Sequence, residues 1–137
     1  FIYGLNLELS NVPPEFSTAR WASEVRPIFT WRAHPWSFSM NPILDWDLSG
    51  DDADGIPEFE PALKAKYNTG KGFSLGLEHY MSLGKVNHME TVNKQMHVTY
   101  LAGDLEDGPV EFNVGIGYGI TPVSNRWTVK TILGLAF

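Results

Sequence analysis

The sequence predicts an all-β chain, folded as an antiparallel, up-and-down transmembrane β-barrel of about eight strands in a single domain, residues 1–137. Three observations carry that expectation. Apolar and polar residues alternate with a period of two in segment after segment, the repeat of a strand and not of a helix. Long polar connections alternate with tight turns, which describes a meander. Aromatic residues make up 13% of the chain, and many stand on the apolar face near strand ends.

The segments run in order. Phe1, Tyr3, Leu5, Leu7 and Leu9 alternate with Gly4, Asn6, Glu8 and Ser10. Trp21, Val25, Phe29 and Trp31 then oppose Arg20, Glu24, Arg26 and Arg32. The stretch WSFSMNPILDWDLS reads as one long strand, with Trp36, Phe38, Met40, Pro42, Leu44, Trp46 and Leu48 on one face. Phe59, Leu63, Ala65 and Tyr67 oppose Glu58, Glu60, Lys64 and Lys66. Phe73, Leu75, Leu77, Met81 and Leu83 oppose Ser74, Gly76, Glu78 and Ser82. A weaker unit sets Met96, Val98 and Tyr100 against Gln95, His97 and Thr99. Val110, Phe112, Val114, Ile116, Tyr118 and Ile120 oppose Glu111, Asn113, Gly115, Gly117 and Gly119. Finally Trp127, Val129, Leu133, Leu135 and Phe137 oppose Arg126, Thr128, Lys130 and Gly134. Long connections fall at Asn11–Thr18, Gly50–Pro57 and Gly84–Lys94, and the short Pro122–Asn125 link lies at the same end. Turns at Ala33–Pro35, Thr69–Lys71 and Gly103–Gly108 close the other end.

A soluble barrel turns its apolar face inward, and a membrane barrel turns it to lipid. The second orientation fits better. Trp21, Trp31, Trp36, Trp46, Tyr67 and Trp127 are placed where two interfacial girdles belong. Several segments also exceed the roughly 9–11 residues a tilted strand needs to cross a bilayer. The polar face then lines a lumen with Glu24, Arg26, Arg32, Asp45, Asp47, Glu60, Lys64, Lys66, Glu78, Glu111 and Lys130. Folding the hairpin about Pro35 brings Arg26 near Asp45 and Asp47, an expected ion pair. In an eight-stranded barrel side chains about fill the interior, so these charges are expected to plug it.

Composition excludes other classes. Ten basic against sixteen acidic side chains give a net charge of −6, which argues against a nucleic-acid binder. With no cysteine there is no disulfide frame, thiolate zinc site or thiol nucleophile. No metal site and no cofactor is expected. Asp45-Trp-Asp47-Leu-Ser49-Gly50-Asp51 has the spacing of half a calcium loop, but Ile56 stands where the bidentate Glu belongs. It reads as a strand ending in an acidic turn, where Asp51, Asp52 and Asp54 are the groups for loosely held cations bridging lipopolysaccharide phosphates. His79 falls on the apolar face, His34 in a turn, His88 in a loop and His97 on the lumen side, with no nucleophile motif beside them. No catalytic residue is assigned. Gly115, Gly117 and Gly119 alternate inside a strand with no helix following, so they make room for bulky neighbours and do not cradle a phosphate.

The ending WTVKTILGLAF resembles the C-terminal targeting strand of bacterial outer-membrane β-barrels, with Leu133, Leu135 and the terminal Phe137 at its apolar positions. Ile132 stands where that pattern has Gly, and Gly134 is displaced by two. The segments EVRPIFTWR, FSMNPILDWDL, FEPALKAKY and GIGYGIT resemble uncharacterised proteobacterial outer-membrane β-barrel proteins, in which they belong to the C-terminal portion of a longer barrel. That resemblance implies an integral outer-membrane location and strands ahead of Phe1. It implies as partners outer-membrane lipid, lipopolysaccharide and the barrel-assembly machinery, and it implies no activity. The expected function is structural or surface-interacting, without catalysis. A passive small-solute pore is the alternative, and an outer-membrane hydrolase the second.

Overall fold

Side chains that alternate about a pleated backbone build one antiparallel sheet. The computed structural model describes residues 1–13, 15, 21–51 and 53–135, so Arg20, Asp52 and the terminal Phe137 lie outside the described residues. The strands are β1 (Ile2–Asn11), β2 (Trp21–Ala33), β3 (Trp36–Asn41), β4 (Leu44–Asp47), β5 (Glu58–Phe59) and β6 (Ala62–Asn68). They continue with β7 (Phe73–Ser82), β8 (Gly84–Lys85), β9 (His88–Met89), β10 (Met96–Asp107), β11 (Val110–Gly119) and β12 (Trp127–Leu135). Among the described residues the one helical piece is a 3-10 turn at Val92–Lys94.

These strands fall into the runs that the alternation predicts. The long strand expected from Trp36 breaks at Pro42–Ile43, where proline offers no N–H to the ladder. Its register survives the break: Phe29 faces Met40 before it and Val25 faces Leu44 after it. Pro61 interrupts β5–β6 in the same way, and Glu60 still donates its backbone N–H to the Ile43 carbonyl, 2.9 Å away. With β3–β4, β5–β6 and β7–β8 each taken as one run, and β9 set aside as the return of a small hairpin with β8, every run pairs with the next in chain order. Short turns at His34–Pro35, Asn68–Phe73 and Gly108–Pro109 lie at one end of the sheet. The longer connections lie at the other.

Three expectations need correction. The turn placed at Gly103–Gly108 is strand as far as Asp107, because Leu101 and Leu105 continue the alternation. The loop placed at Gly84–Lys94 holds the β8–β9 hairpin and the 3-10 turn. Above all, the sheet is not closed into a barrel. Among the described residues β1 pairs only with β2, and β12 only with β11. Closure depends on strand number and stagger together, and alternation along a strand specifies neither.

The sheet curls toward its polar face. Lys130 on β12 reaches across β11 and β10 to Glu78 on β7, which a flat sheet forbids. The buried side chains lie on this concave side: Ile43, Ala62, Val98 and Ala102 with the polar Ser74 and Glu78. On the convex side Leu5, Leu77, Leu101, Ile116 and Val129 are exposed.

Candidate functional site

Pairing across successive strands sorts the concave face into rows. One row runs Arg32, Ser37, Lys66, Gly76, Ala102, Gly115, Lys130. The next, one step toward the long-loop end, runs Thr30, Ser39, Lys64, Glu78, Tyr100, Gly117, Thr128. Near the loops a third holds Glu8, Glu24, Asp45, Glu58 and Lys85. The concave face is therefore banded: Arg32, Lys66, Lys130 and Lys64 stand in the first two rows and carboxylates in the third, while Asp104, Glu106 and Glu111 stand beyond the first row at the short-turn end.

Between the bands, Glu78 is the hub. It is 2% exposed and receives Lys64 at 2.8 Å, Lys130 and the Tyr80 hydroxyl at 2.9 Å. Lys64 also reaches Asp104 at 3.1 Å, and Asn113 donates to the other Asp104 oxygen at 2.6 Å. Lys130 lies 5.2 and 5.0 Å from the ring centroids of Tyr80 and Tyr100, which meet edge to face. Glycines make this crossing fit. A Cβ on Gly117 would stand 2.6 Å from the Tyr100 ring, and one on Gly115 would stand 3.2 Å from the Lys130 side chain. A buried carboxylate supplied with two ammonium groups and a hydroxyl is a satisfied polar core.

Every charged residue expected to line the lumen stands on this concave face, but the pairings differ. Arg26 faces Ile43 and bonds Glu24 of its own strand at 2.7 Å; the expected pair with Asp45 or Asp47 is not formed. Asp45 instead stands opposite Glu24 on one side and Glu58 on the other. Glu60 accepts a long bond from Ser82, 3.4 Å. Glu111 faces Gly134 near the short-turn end. At the loop end Asp54 takes Lys85 at 2.5 Å and the Ile56 backbone N–H at 3.0 Å, which together hold its carboxyl below the usual range.

His97 and its neighbours need a further correction. Thr99 faces His79 and Tyr100 faces Glu78, so His97 and Thr99 lie on the convex face while Val98 and Tyr100 point inward. His79 keeps its expected place. The Thr99 hydroxyl meets His79 Nδ1 at 2.8 Å, His79 Nε2 meets His97 Nδ1 at 3.2 Å, and His97 Nε2 meets Gln95 Oε1 at 2.8 Å. The Gln95 carbonyl only accepts, so with both rings neutral the chain is satisfied in one direction, from Thr99 to Gln95. Among the described residues no serine hydroxyl bonds either ring; Ser124 Oγ accepts from the His97 backbone N–H at 2.9 Å. Among the described residues these rings are not paired with a nucleophile. Sequence reasoning also missed Tyr80, Tyr100 and Asp104 and gave Asn113 a place on the polar face without a partner; the parity of Tyr100 and Asp104 is fixed once β10 is read through to Leu105.

On the convex face Trp31, Phe38, Trp36 and Tyr67 make a continuous aromatic contact at the short-turn end. Trp127 meets Tyr118 edge to face at the loop end, where Trp21 and Trp46 also lie. Leu133 and Leu135 stand exposed on this face of β12. Among the described residues no group of three metal-ligating side chains converges. Comparison of the chain with protein-family models, curated proteins and solved structures finds no match.

Proposed function

We propose that this chain forms the wall of an integral outer-membrane β-barrel with a structural or surface-interaction role, a charge-paired polar interior and no catalysis. One observation carries the reading, the inversion of burial. Glu78 is 2% exposed, whereas Leu77, its neighbour in the chain, is 55% exposed on a convex face with Leu5, Leu101, Ile116 and Val129. In water such a continuous apolar surface costs about 25 cal/mol per Å² and far exceeds what folded monomers leave exposed. Lipid removes that cost. The aromatic clusters at the two ends suit the headgroup levels. In this reading Leu133, Leu135 and Phe137 address the assembly machinery, and the loop-end carboxylates face lipopolysaccharide.

The test is folding into phosphatidylcholine vesicles carrying brominated acyl chains. The expected result is quenching of tryptophan emission together with a heat-modifiable band on a gel. A chain that stays in the aqueous phase, unquenched, removes the membrane reading. The passive pore is favoured by one feature, the open polar groove of about 510 Å³ at the short-turn end of the concave face. Conductance steps in planar bilayers would promote it over the packed interior.

A further inference from the structure

That groove has a chemistry of its own. Its lining includes Arg32, Ser37 and Lys66 of one row, Lys64 and the Thr30–Ser39 hydroxyl pair, 2.9 Å apart, of the next, and His34 at the turn. Two strand spacings separate Arg32 from Lys66, ~10 Å between backbones, with the small Ser37 between. Two long cationic side chains therefore face each other across a short hydroxyl.

The other interior cations are engaged. Arg26 bonds Glu24, Lys64 bonds Glu78 and Asp104, and Lys130 bonds Glu78. Arg32 has no hydrogen bond or ion pair among the described residues. Lys66 makes two long ion pairs, to Asp104 at 3.7 Å and to Glu106 at 3.6 Å, neither of them within hydrogen-bond distance, and Asp104 is shared with Lys64. Among the described residues Glu106 is the single carboxylate lining the groove, and its side chain is 63% exposed. The groove thus carries donors and positive charge in excess of its acceptors.

We propose that the Arg32–Ser37–Lys66 groove is a binding site for a free, compact oxyanion of the phosphate or carboxylate type. The Arg32 guanidinium supplies a planar fork to two oxygens, Lys66 a point charge from the opposite side and Ser37 a hydroxyl between them. The site does not depend on the membrane reading, because its residues share a face of the sheet whatever covers the other. In a barrel wall it would select or retain anions at the short-turn end.

The test uses the full chain in neutral detergent micelles, titrated with inorganic phosphate in chloride-free buffer by calorimetry. Saturable binding of one phosphate is expected, with loss of about tenfold or more in affinity for Arg32→Gln and for Lys66→Gln. Glu106→Gln should tighten binding, a gain that misfolding cannot mimic. Asp45→Asn, at the other end, should leave affinity unchanged. Acetate should compete. Absence of saturable binding, or binding that survives both cation substitutions, would overturn the site. Displacement of phosphate by phosphatidylglycerol doped into the micelles, with acetate ineffective, would overturn its assignment to a free solute.

Discussion

Glu78 and Asp45 carry the same charge on the same face, and their surroundings have opposite sign. Glu78 has two ammonium groups and a phenol against it; Asp45 has a carboxylate directly across on each neighbouring strand. Removing one member of a buried ion cluster strands the others, so Glu78→Ala should cost about 3 kcal/mol. Like charges directly opposite in a sheet are destabilising, so Asp45→Asn should raise stability by a few tenths, up to ~1 kcal/mol. Urea unfolding midpoints in detergent decide this: an Asp45→Asn loss as large as that of Glu78→Ala would sink the assignment of the two environments. The face of both residues was legible, because a period of two fixes it without any energetics. Their partners were not. Pairing depends on register to the residue, and Ala33 facing Trp36 puts Arg26 across from Ile43, one position from where a turn centred on Pro35 would leave it.

At the scale of the strand, β10 shows when alternation suffices and when it misleads. Its first residues, from Met96 to Tyr100, assign the faces wrongly, because tyrosine and valine pack inside a polar network while histidine and threonine bond each other outside. Leu101 and Leu105 settle the parity, and Leu105 lies inside the turn that glycine at 103 had suggested. The convex face so defined yields a prediction. Leu77 lies between Ala65 and Leu101. At 55% exposure an arginine there should be nearly neutral in water, whereas at a bilayer midplane it costs about 2–4 kcal/mol. Leu77→Arg should therefore lower the fraction folding into vesicles, while Thr128→Arg, on the concave face of β12, should fold as the parent does. Equal yields of the two variants on a heat-modifiability gel would contradict a lipid-facing convex surface.

For the whole molecule the decisive feature is what alternation could not reveal, the relation of the first strand to the last. The order along the sheet follows from chain order and turn length, and both were readable. Closure follows from strand number and stagger, and the sheet is open, with β1 and β12 as edges. An edge leaves every second N–H and C=O without a partner. Water satisfies those groups, but hydrocarbon does not, at several kcal/mol for each. The membrane reading therefore demands that both edges become paired, either with each other, since their antiparallel directions allow it, or with further β-strands. Amide exchange measured in vesicles tests that demand. The alternate amides of β1 that point away from β2, and those of β12 that point away from β11, should exchange as slowly as the amides of β6 and β7. Fast exchange at both edges, beside slow exchange in the central strands, would describe an open sheet with water along its margins. Such a sheet cannot be a complete wall in a bilayer, and the inverted burial of its two faces would then need a protein partner in place of lipid.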